Sequence, residues 1–241
     1  MRFRLITYNI HKGIGGVDRR YDPQRIIDAL ARYDADVIFL QEVDDGVPRS
    51  RHHRQVDLLG EALYMPHRAF QRNVTLTRGY YGNAILSRYP LHDPHHLDLT
   101  VRYKKRRRAL VASCIVRESH QRTIHLVNCH LGLAGFERVL QLKKILNSDV
   151  LRYLHHDTPI IVGGDYNDVW GTLGKRVMEP AGFLPATIAA RTFPAIMPMR
   201  ALDKVFYRGA LLFDHSFPAR SEVARQASDH LPLIADFDLL V

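Results

Sequence analysis

Polar side chains with catalytic potential recur beside apolar, strand-like runs along this sequence. They are acids, amides and imidazoles, and they form six short blocks: Asn9-Ile10-His11, Gln41-Glu42, Asn128-Cys129-His130, Asp165-Tyr166-Asn167, Leu202-Asp203-Lys204 and Ser228-Asp229-His230. In layered α/β folds, ligands bind at strand ends and in the loops beyond them, so we expect these blocks to converge. Clustered carboxylate and amide oxygens suit Mg²⁺ or Mn²⁺, and those metals suit phosphate chemistry.

Each block taken alone has a simpler structural interpretation. Asn9 could cap a turn, and His130 could be a structural histidine. Asp165 and Asn167 could form an Asx turn. The ordered set favours a shared site, because unrelated caps and turns have no reason to occur together in this sequence order.

The blocks also follow the order of a known superfamily. They include Tyr8-Asn9-Ile10, Gln41-Glu42-Val43, Gly82-Asn83-Ala84-Ile85-Leu86-Ser87, Asn128-Cys129-His130-Leu131, Gly164-Asp165-Tyr166-Asn167, Leu202-Asp203-Lys204-Val205-Phe206 and Ser228-Asp229-His230. Over nearly its whole length, the chain resembles the endonuclease/exonuclease/phosphatase superfamily. That superfamily includes AP endonucleases, DNase I-like nucleases, inositol polyphosphate 5-phosphatases and neutral sphingomyelinases. The resemblance implies a divalent-metal-dependent phosphoester hydrolase of the phosphodiesterase or nuclease type.

The resemblance implies a metal site whose ligands come from two parts of the sequence, one near its beginning and one near its end. Glu42 would be the main ligand, with Asn9 beside it. Asp229 would assist the same metal or hold a second one. The implied cofactor is Mg²⁺ or Mn²⁺.

The resemblance also implies five catalytic residues. Asp165 would orient or deprotonate the attacking water, and Asn167 would hold the nucleophile or a phosphate oxygen. His130 and His230 would stabilise the charge that develops on the phosphate oxygens. Asp203 would hydrogen-bond to the His230 ring and keep it protonated, since a neighbouring carboxylate raises the pKa of an imidazole.

Two features separate this chain from the AP endonucleases within the resemblance. His11 stands where AP endonucleases carry an acidic residue, two positions after the first-strand asparagine. The block Arg191-Thr192-Phe193-Pro194-Ala195 resembles the small bacterial branch of the superfamily. The implied fold is one α/β domain over residues 1–241, a four-layer sandwich of two packed mixed β-sheets with helices outside.

The hydrophobic pattern predicts interleaved strands and helices. Strands are expected at residues 3–10, 37–40, 82–87, 109–116, 123–129, 159–162, 202–207, 211–216 and 233–239, with Asp236 and Asp238 pointing outward from the last one. Asp22-Pro23 predicts a helix start, because aspartate caps a helix and proline suits its first position. Further helices are expected at 55–63 and, as one long helix, around 139–153, while 171–200 should hold a short helix and loops.

The charge balance predicts a polyanionic partner. The chain holds 34 basic and 25 acidic residues, a net charge of +9, and much of the excess lies in residues 102–108. Such a protein attracts nucleic acid, anionic lipid head groups or phosphorylated small molecules. A solvated surface loop remains the alternative explanation for this basic run.

Other features of the sequence predict a cytoplasmic protein. No apolar run approaches the roughly 20 residues of a membrane-spanning helix, and the N-terminus lacks the apolar core of a signal peptide. Cys114 and Cys129 are expected to be buried, reduced thiols.

Three functions compete at this stage. The basic run suits a nucleic-acid phosphodiester. A phospholipid or sugar phosphate is the alternative substrate class, which exposed apolar residues within 193–199 would favour, although we expect that segment to pack into the core. A non-catalytic binder of a phosphorylated ligand would have lost Glu42, Asp165, Asn167 or His230, and all four are present.

Overall fold

The computed structural model describes residues 1–117, 121–187 and 190–240, and its strands and helices alternate along the chain. The strands are β1 (Arg2–Asn9), β2 (Val37–Asp45), β3 (His67–Thr75), β4 (Tyr80–Ser87), β5 (Leu91–Asp98), β6 (Arg108–Arg117), β7 (Gln121–His130), β8 (Ile160–Asp165), β9 (Leu184–Pro185), β10 (Asp203–Arg208), β11 (Leu211–Pro218) and β12 (Leu233–Leu239). The α-helices are α1 (Pro23–Ala31), α2 (Gln55–Ala62), α3 (Gly135–Leu146), α4 (Asp149–Arg152) and α5 (Glu222–Ala227).

Two mixed sheets of six strands each form the centre of the molecule. Their strand orders are β11-β12-β1-β2-β4-β3 and β5-β6-β7-β8-β10-β9. Each sheet has one parallel pair, β1 with β2 and β7 with β8. Polar side chains collect in each sheet at the edge where these parallel pairs have their carboxyl ends. In the second sheet, the start of β10 lies at this edge too, because it pairs with the end of β8.

Three apolar clusters define four layers, as the sequence predicted. The first lies between the sheets and includes Phe39 and Phe237. The second covers the outer face of the first sheet beneath α1, α2 and α5. The third covers the outer face of the second sheet beneath α3 and α4. The four-layer α/β sandwich is therefore confirmed.

The start of α1 follows from its local sequence. The Asp22 side chain accepts a hydrogen bond from the Gln24 backbone N–H, and Pro23 occupies the first helical position. This cap satisfies a backbone donor that the helix itself leaves unpaired. The capped end holds α1 against the outer face of the first sheet.

The single long helix expected around residues 139–153 is wrong: two helices, α3 and α4, occupy this segment. The break lies at Ser148, whose backbone is extended and whose hydroxyl donates to the Ile145 carbonyl, 2.7 Å away. A serine that captures a carbonyl of the last turn competes with continuation of the helix. The apolar periodicity survives the break because α4 buries Leu151 on the same side.

The strands β3, β5 and β9 were not predicted. The edge strand β5 is mostly exposed, polar and interrupted by Pro94, with a register shift between His92 and His95. Such features are typical of edge strands, where an unpaired side tolerates proline and bulges, and they remove the usual hydrophobic signal.

Asp236 points outward from β12, as predicted, yet its side chain is fully buried. Arg2 and Arg4 cover it with ion pairs of 2.6 and 2.7 Å. Burial would raise the pKa of Asp236, but the hydrogen bonds from Arg4 and Arg2 outweigh it and lower the pKa. Arg2 and Arg4 of β1 therefore stabilise the pairing of β1 with β12 through Asp236.

Buried amides join the two sheets at the end where their polar residues collect. The Asn128 side chain on β7 donates to the backbone carbonyls of Leu40 and Ala84 in the other sheet, at 3.0 and 2.8 Å. Gln41 on β2 donates to Asn128 Oδ1 at 2.8 Å. Because these bonds are directional, they determine how one sheet lies on the other in a way that apolar contacts do not.

Two further sequence expectations concern the cysteines and the lack of a membrane-spanning helix. Cys114 and Cys129 are buried and free, as expected. Across the described parts of the chain, no helix combines the length and apolar character needed to cross a bilayer.

Replacement of Asn128 by alanine should lower the free energy of unfolding by about 2–4 kcal/mol, because two carbonyls and one amide lose a buried partner. Urea denaturation measures this loss. The exposed Asn147, just after α3, is the matched control, and Asn147→Ala should change stability by under about 0.5 kcal/mol. Equal effects of the two substitutions would show that the sheets do not depend on this amide.

Candidate active site

A cavity of about 1060 Å³ opens at the edge where both sheets present their polar strand ends. Its wall contains seven of the eight predicted site residues: Asn9, Glu42, His130, Asp165, Asn167, Asp229 and His230. The eighth, Asp203, is buried and hydrogen-bonds to His230. The structure thus brings together all eight, although they are spread from residue 9 to residue 230 of the sequence.

Asp165 lies at the centre of this group. Its Oδ2 accepts a hydrogen bond from Asn9 Nδ2 at 3.0 Å and lies 3.5 Å from His130 Nε2 and 3.7 Å from His230 Nε2. Its Oδ1 accepts from the Asn167 backbone N–H at 2.9 Å. These contacts fix the orientation of the buried carboxylate. A group that positions a reactant needs such a fixed orientation.

Gly164 allows Asp165 to reach this position. Its φ of 139° suits glycine, and a Cβ there would lie 1.9 Å from the Cys129 carbonyl oxygen. No side chain larger than hydrogen fits between β7 and β8 at this point. The close approach sets the distance between His130 and Asp165, which end these two strands.

Glu42 enters the cavity through an irregularity in β2. The register with β4 shifts between Leu40 and Val43, and Glu42 adopts a positive φ of 58°. A bulge of this kind re-aims one side chain of a strand and is common beside active sites. Asn167 also has a positive φ, 49°, a conformation that asparagine tolerates well.

Lys12 is a cavity residue that the sequence did not predict. It forms an ion pair with Glu42, and its ammonium lies 5.7 Å from the centre of the Tyr81 ring. Burial would raise the pKa of Glu42, but the charges of His130 and Lys12 outweigh it and lower that pKa to about 2. A lysine three residues after the first-strand Asn9, inside a glycine-rich loop, was the available signal.

His230 is held protonated by carboxylates. Its Nδ1 lies 2.8 Å from Asp203 Oδ2, the contact that the sequence predicted, and Thr192 Oγ1 donates to the same oxygen. Burial lowers the pKa of His230, but the charges of Asp203 and Asp165 outweigh it and raise the pKa to about 10. The ring is therefore an imidazolium at neutral pH.

His130 has the opposite protonation state to His230. Burial and the nearby Arg107 charge lower its pKa to about 4, so the ring is neutral at pH 7. Its strand end is held in place because the Gly132 backbone N–H donates to Gln141 Oε1 at 2.8 Å. Two histidines on either side of Asp165 thus differ in protonation, as expected where a site needs both an acid and a neutral group.

The available donors fit a hard divalent cation. Glu42 and Asp229 offer carboxylate oxygens to the cavity, and Asn9 offers an amide oxygen that also accepts from the His11 backbone N–H at 3.0 Å. Asp165, Asp203 and His230 also bring donor atoms within 4.8 Å of one another. The protonated His230 ring has no lone pair for a metal, so these three residues form a hydrogen-bonded set.

The basic run reaches the cavity. Lys105, Arg106 and Arg107 form part of the wall, together with Arg49 and Arg200. The last two were not singled out from the sequence, because isolated arginines are common on any surface. The wall is therefore strongly positive around buried carboxylates, which suits an anionic ligand.

The segment 193–199 begins at the cavity wall with Phe193, and the expectation that it packs into the core is wrong for three of its side chains. Ile196, Met197 and Met199 are all exposed. The segment closes on itself, since the backbone N–H groups of Met199 and Arg200 both donate to the Phe193 carbonyl. These two hydrogen bonds close the hairpin at its base, and the side chains at its tip are exposed.

The comparisons with known proteins agree with this geometry. The sequence model of the Endonuclease/Exonuclease/phosphatase family matches residues 6–230. The chain belongs to the endonuclease/exonuclease/phosphatase family. The enzymes for which this family is named hydrolyse phosphoester bonds.

Relatives in the family share the full length of the fold. YbhP of Escherichia coli (strain K12) is 30% identical, over 98% of this chain and 96% of YbhP. The endonuclease/exonuclease/phosphatase from Beutenbergia cavernae superposes with a TM-score of 0.81 at 21% identity, covering 99% of this chain and 72% of that one. D. rerio TDP2, in complex with a single-strand DNA product, has a TM-score of 0.71 at 22% identity, covering 98% and 99%.

The Asp203–His230 pair should make stability depend on pH. The pKa of His230 is about 10 in the folded chain and about 6.5 when unfolded, so the pair stabilises fully below about pH 6.5 and the contribution is lost as pH rises through about 10. At pH 7, Asp203→Asn should therefore lower the free energy of unfolding by on the order of 2 kcal/mol, and the gap to wild type should close near pH 10.

Urea denaturation in EDTA at pH 7, 8.5 and 10 measures this gap. Asp214→Asn is the matched control, since Asp214 pairs with a histidine, His215, on the exposed surface at 2.9 Å. That variant should change stability little at any of these pH values. A gap for Asp203→Asn that stays constant over the range would contradict the assignment of a protonated His230.

Proposed function

We propose that this chain is a divalent-metal-dependent phosphoester hydrolase of the phosphodiesterase type, with Mg²⁺ or Mn²⁺ as its cofactor. The observation that carries the proposal is the convergence on Asp165 of one neutral and one protonated histidine, in the same basic cavity as Glu42. Such a site has an acceptor for a proton, a donor for a developing anion, and oxygen ligands for a cation.

Asp165 is the group that accepts a proton from the attacking water. Its Oδ2 faces the cavity residues, and its Oδ1 is held by the Asn167 backbone. The Asn167 side chain donates to the Leu131 carbonyl at 2.9 Å, which keeps its amide at the cavity wall near the reacting atoms. Placing these groups before the reaction removes most of the orientational cost of bringing water to phosphorus.

His230 stabilises the negative charge that develops on the phosphate oxygens. As an imidazolium supported by Asp203, it can donate Nε2–H to a phosphate oxygen or to the leaving alcohol. His130, being neutral, adds a hydrogen bond without repelling the neighbouring imidazolium. Lys12 and Arg107 supply further positive charge to the bound phosphate.

Glu42, with Asn9 and Asp229, would hold the cation, which when bound neutralises charge on the phosphate oxygens and makes phosphorus more open to attack. The low pKa of Glu42 keeps its carboxylate ionised over the whole physiological range. Lys12 pairs with the same carboxylate, so it would compete with the cation for this ligand.

Two substrate classes have support. The basic wall suits a nucleic-acid backbone, and TDP2, which shares the fold, has been captured with a single-strand DNA product. A phospholipid is the second candidate, and the exposed apolar side chains at the cavity mouth favour it. The chemistry at phosphorus is the same for both.

Glu42→Gln should lower Mg²⁺-dependent hydrolysis of bis(p-nitrophenyl) phosphate by roughly 100-fold or more, because a neutral amide is a poor ligand for a hard cation. Mn²⁺ binding, followed by calorimetry, should weaken in parallel. The exposed Glu61 is the control, and Glu61→Gln should leave both measurements unchanged. Full activity of Glu42→Gln, or of wild type in excess EDTA, would rule the metal assignment out.

Replacement of Lys104, Lys105 and Arg106 by serine removes three positive charges. This variant should have a higher KM for a polyanionic substrate, a weaker dependence of KM on salt concentration, and nearly the same kcat. Arg107 is kept because its charge lowers the pKa of His130. The control replaces the exposed Arg32, Arg152 and Arg220, which lie outside the cavity wall, and should leave KM near that of wild type.

If the Lys104, Lys105 and Arg106 variant binds and cleaves a polyanion as well as wild type does at low salt, the basic run is only a solvated loop. A small neutral ester should be cleaved equally by both proteins in either case.

A further inference from the structure

Exposed apolar side chains occur in the segments that contribute Leu133, Val169 and Phe193 to the cavity wall. We call this set the apolar rim, and it consists of Leu133, Phe136, Val169, Trp170, Ile196, Met197 and Met199. Six of the seven members are more than half exposed to water, and the most exposed are Trp170 at 82%, Leu133 at 75% and Met197 at 62%. Water-exposed apolar groups clustered at one place indicate an interaction site, because their hydration is unfavourable.

Three separate segments carry the apolar rim, and each one also contributes to the cavity wall: the start of α3 with the loop before it, the loop after β8, and the hairpin over residues 193–200. Leu133 and Val169 belong to its wall, and Trp170 follows Val169 directly. The hairpin that carries Ile196 and Met197 has its base, Phe193 and Arg200, in the same wall. A surface that contacts the rim therefore faces the reacting groups.

Positive charge adjoins the apolar rim. The Lys104 ammonium lies 5.3 Å from the centre of the Phe136 ring, and Lys105 and Arg106 line the cavity wall. The combination of aliphatic side chains, a tryptophan and neighbouring basic residues is typical of proteins that bind the interface of an anionic membrane. The apolar groups enter the head-group region, and the basic groups contact lipid phosphates.

The aliphatic character of the rim favours a membrane over a nucleic acid. Single-stranded nucleic acids are held by aromatic faces on which bases stack. Leucine, valine, isoleucine and methionine have no such face, and five of the seven rim members are of these types. Their burial in the acyl layer of a membrane is favourable, because the binding free energy improves with the apolar area that is removed from water.

We propose that the apolar rim and the basic residues Lys104, Lys105 and Arg106 dock the cavity mouth on an anionic phospholipid bilayer. The phosphodiester of a lipid head group then enters the cavity. Docking itself needs only the rim and its charges, whereas turnover rests on the proposed function. In turnover, water oxygen bonds to phosphorus, one P–O ester bond breaks, and the alcohol leaves with a proton while Asp165 takes one from water.

Trp170 provides a direct test, because it is the only tryptophan of the chain. In EDTA, vesicles of phosphatidylcholine with phosphatidylglycerol should shift its emission to shorter wavelength, and brominated lipid should quench it. Vesicles of phosphatidylcholine alone should do so much less. The control variant Trp170→Tyr/Tyr64→Trp moves the reporter to the opposite end of the molecule, where the exposed Tyr64 precedes β3, and its emission should not respond.

Vesicle flotation tests the rim itself. Ile196→Ser/Met197→Ser should reduce binding to the anionic vesicles by roughly tenfold or more, since two side chains lose their burial in lipid. The control Leu184→Ser/Leu212→Ser changes two equally exposed residues at strand edges outside the cavity wall and should bind as wild type does. Lys105→Ser/Arg106→Ser should abolish the preference for phosphatidylglycerol.

Hydrolysis of bis(p-nitrophenyl) phosphate by the same variants separates docking from chemistry. If wild type binds vesicles but hydrolyses no soluble ester with Mg²⁺ or Mn²⁺, the proposed function fails and the docking surface stands. If Ile196→Ser/Met197→Ser binds vesicles as tightly as its control, the docking proposal is overturned. It is also overturned if vesicles leave Trp170 emission unchanged while single-stranded DNA quenches it, because the rim is then a nucleic-acid surface.

Discussion

The geometry of the candidate site depends on how the two sheets are held against each other. Asn9 and Glu42 belong to one sheet, whereas His130, Asp165 and Asp203 belong to the other. A site divided in this way needs a register between the sheets that is accurate to a fraction of an ångström, and apolar packing alone tolerates sliding. The buried amides of Asn128 and Gln41 supply that accuracy, since their hydrogen bonds have a preferred length and direction. They lie directly beneath the reacting groups, where their effect on the site is greatest.

The second constraint is electrostatic. Several carboxylates are buried together at the base of a cavity, and cations face them from loops and neighbouring strands. Lys12 faces Glu42, and the protonated His230 lies between Asp203 and Asp165. Buried charges are tolerated in proteins only when they are paired in this way. The cavity wall also carries the positive charges of Lys105, Arg106 and Arg107, which suit an anionic ligand.

The sequence pattern predicted an α/β domain whose polar strand ends converge, because a polar residue at the end of an apolar run is visible in a one-dimensional pattern. The four-layer fold and the members of the site came from the resemblance to the superfamily. It did not predict β5, since an exposed edge strand with Pro94 lacks that pattern. The break at Ser148 was missed because apolar spacing continues across it. The Lys12–Glu42 pair depends on a backbone irregularity in β2 that has no sequence signal. The exposure of Met197 was missed because apolar residues between prolines usually pack inward, and only the closed hairpin explains why they do not.

The hairpin over residues 193–200 is exposed at its tip and hydrogen-bonded at its base to residues of the candidate site. At its base, Thr192 donates from its side chain to Asp203, and the Ala195 backbone N–H donates to the Asp229 carbonyl at 2.7 Å. The tip can therefore not shift as a rigid piece without pulling on a contact of the His230 partner or of a neighbouring acid. These two hydrogen bonds therefore couple the position of the hairpin to that of Asp203, the partner of His230, and to the backbone of Asp229.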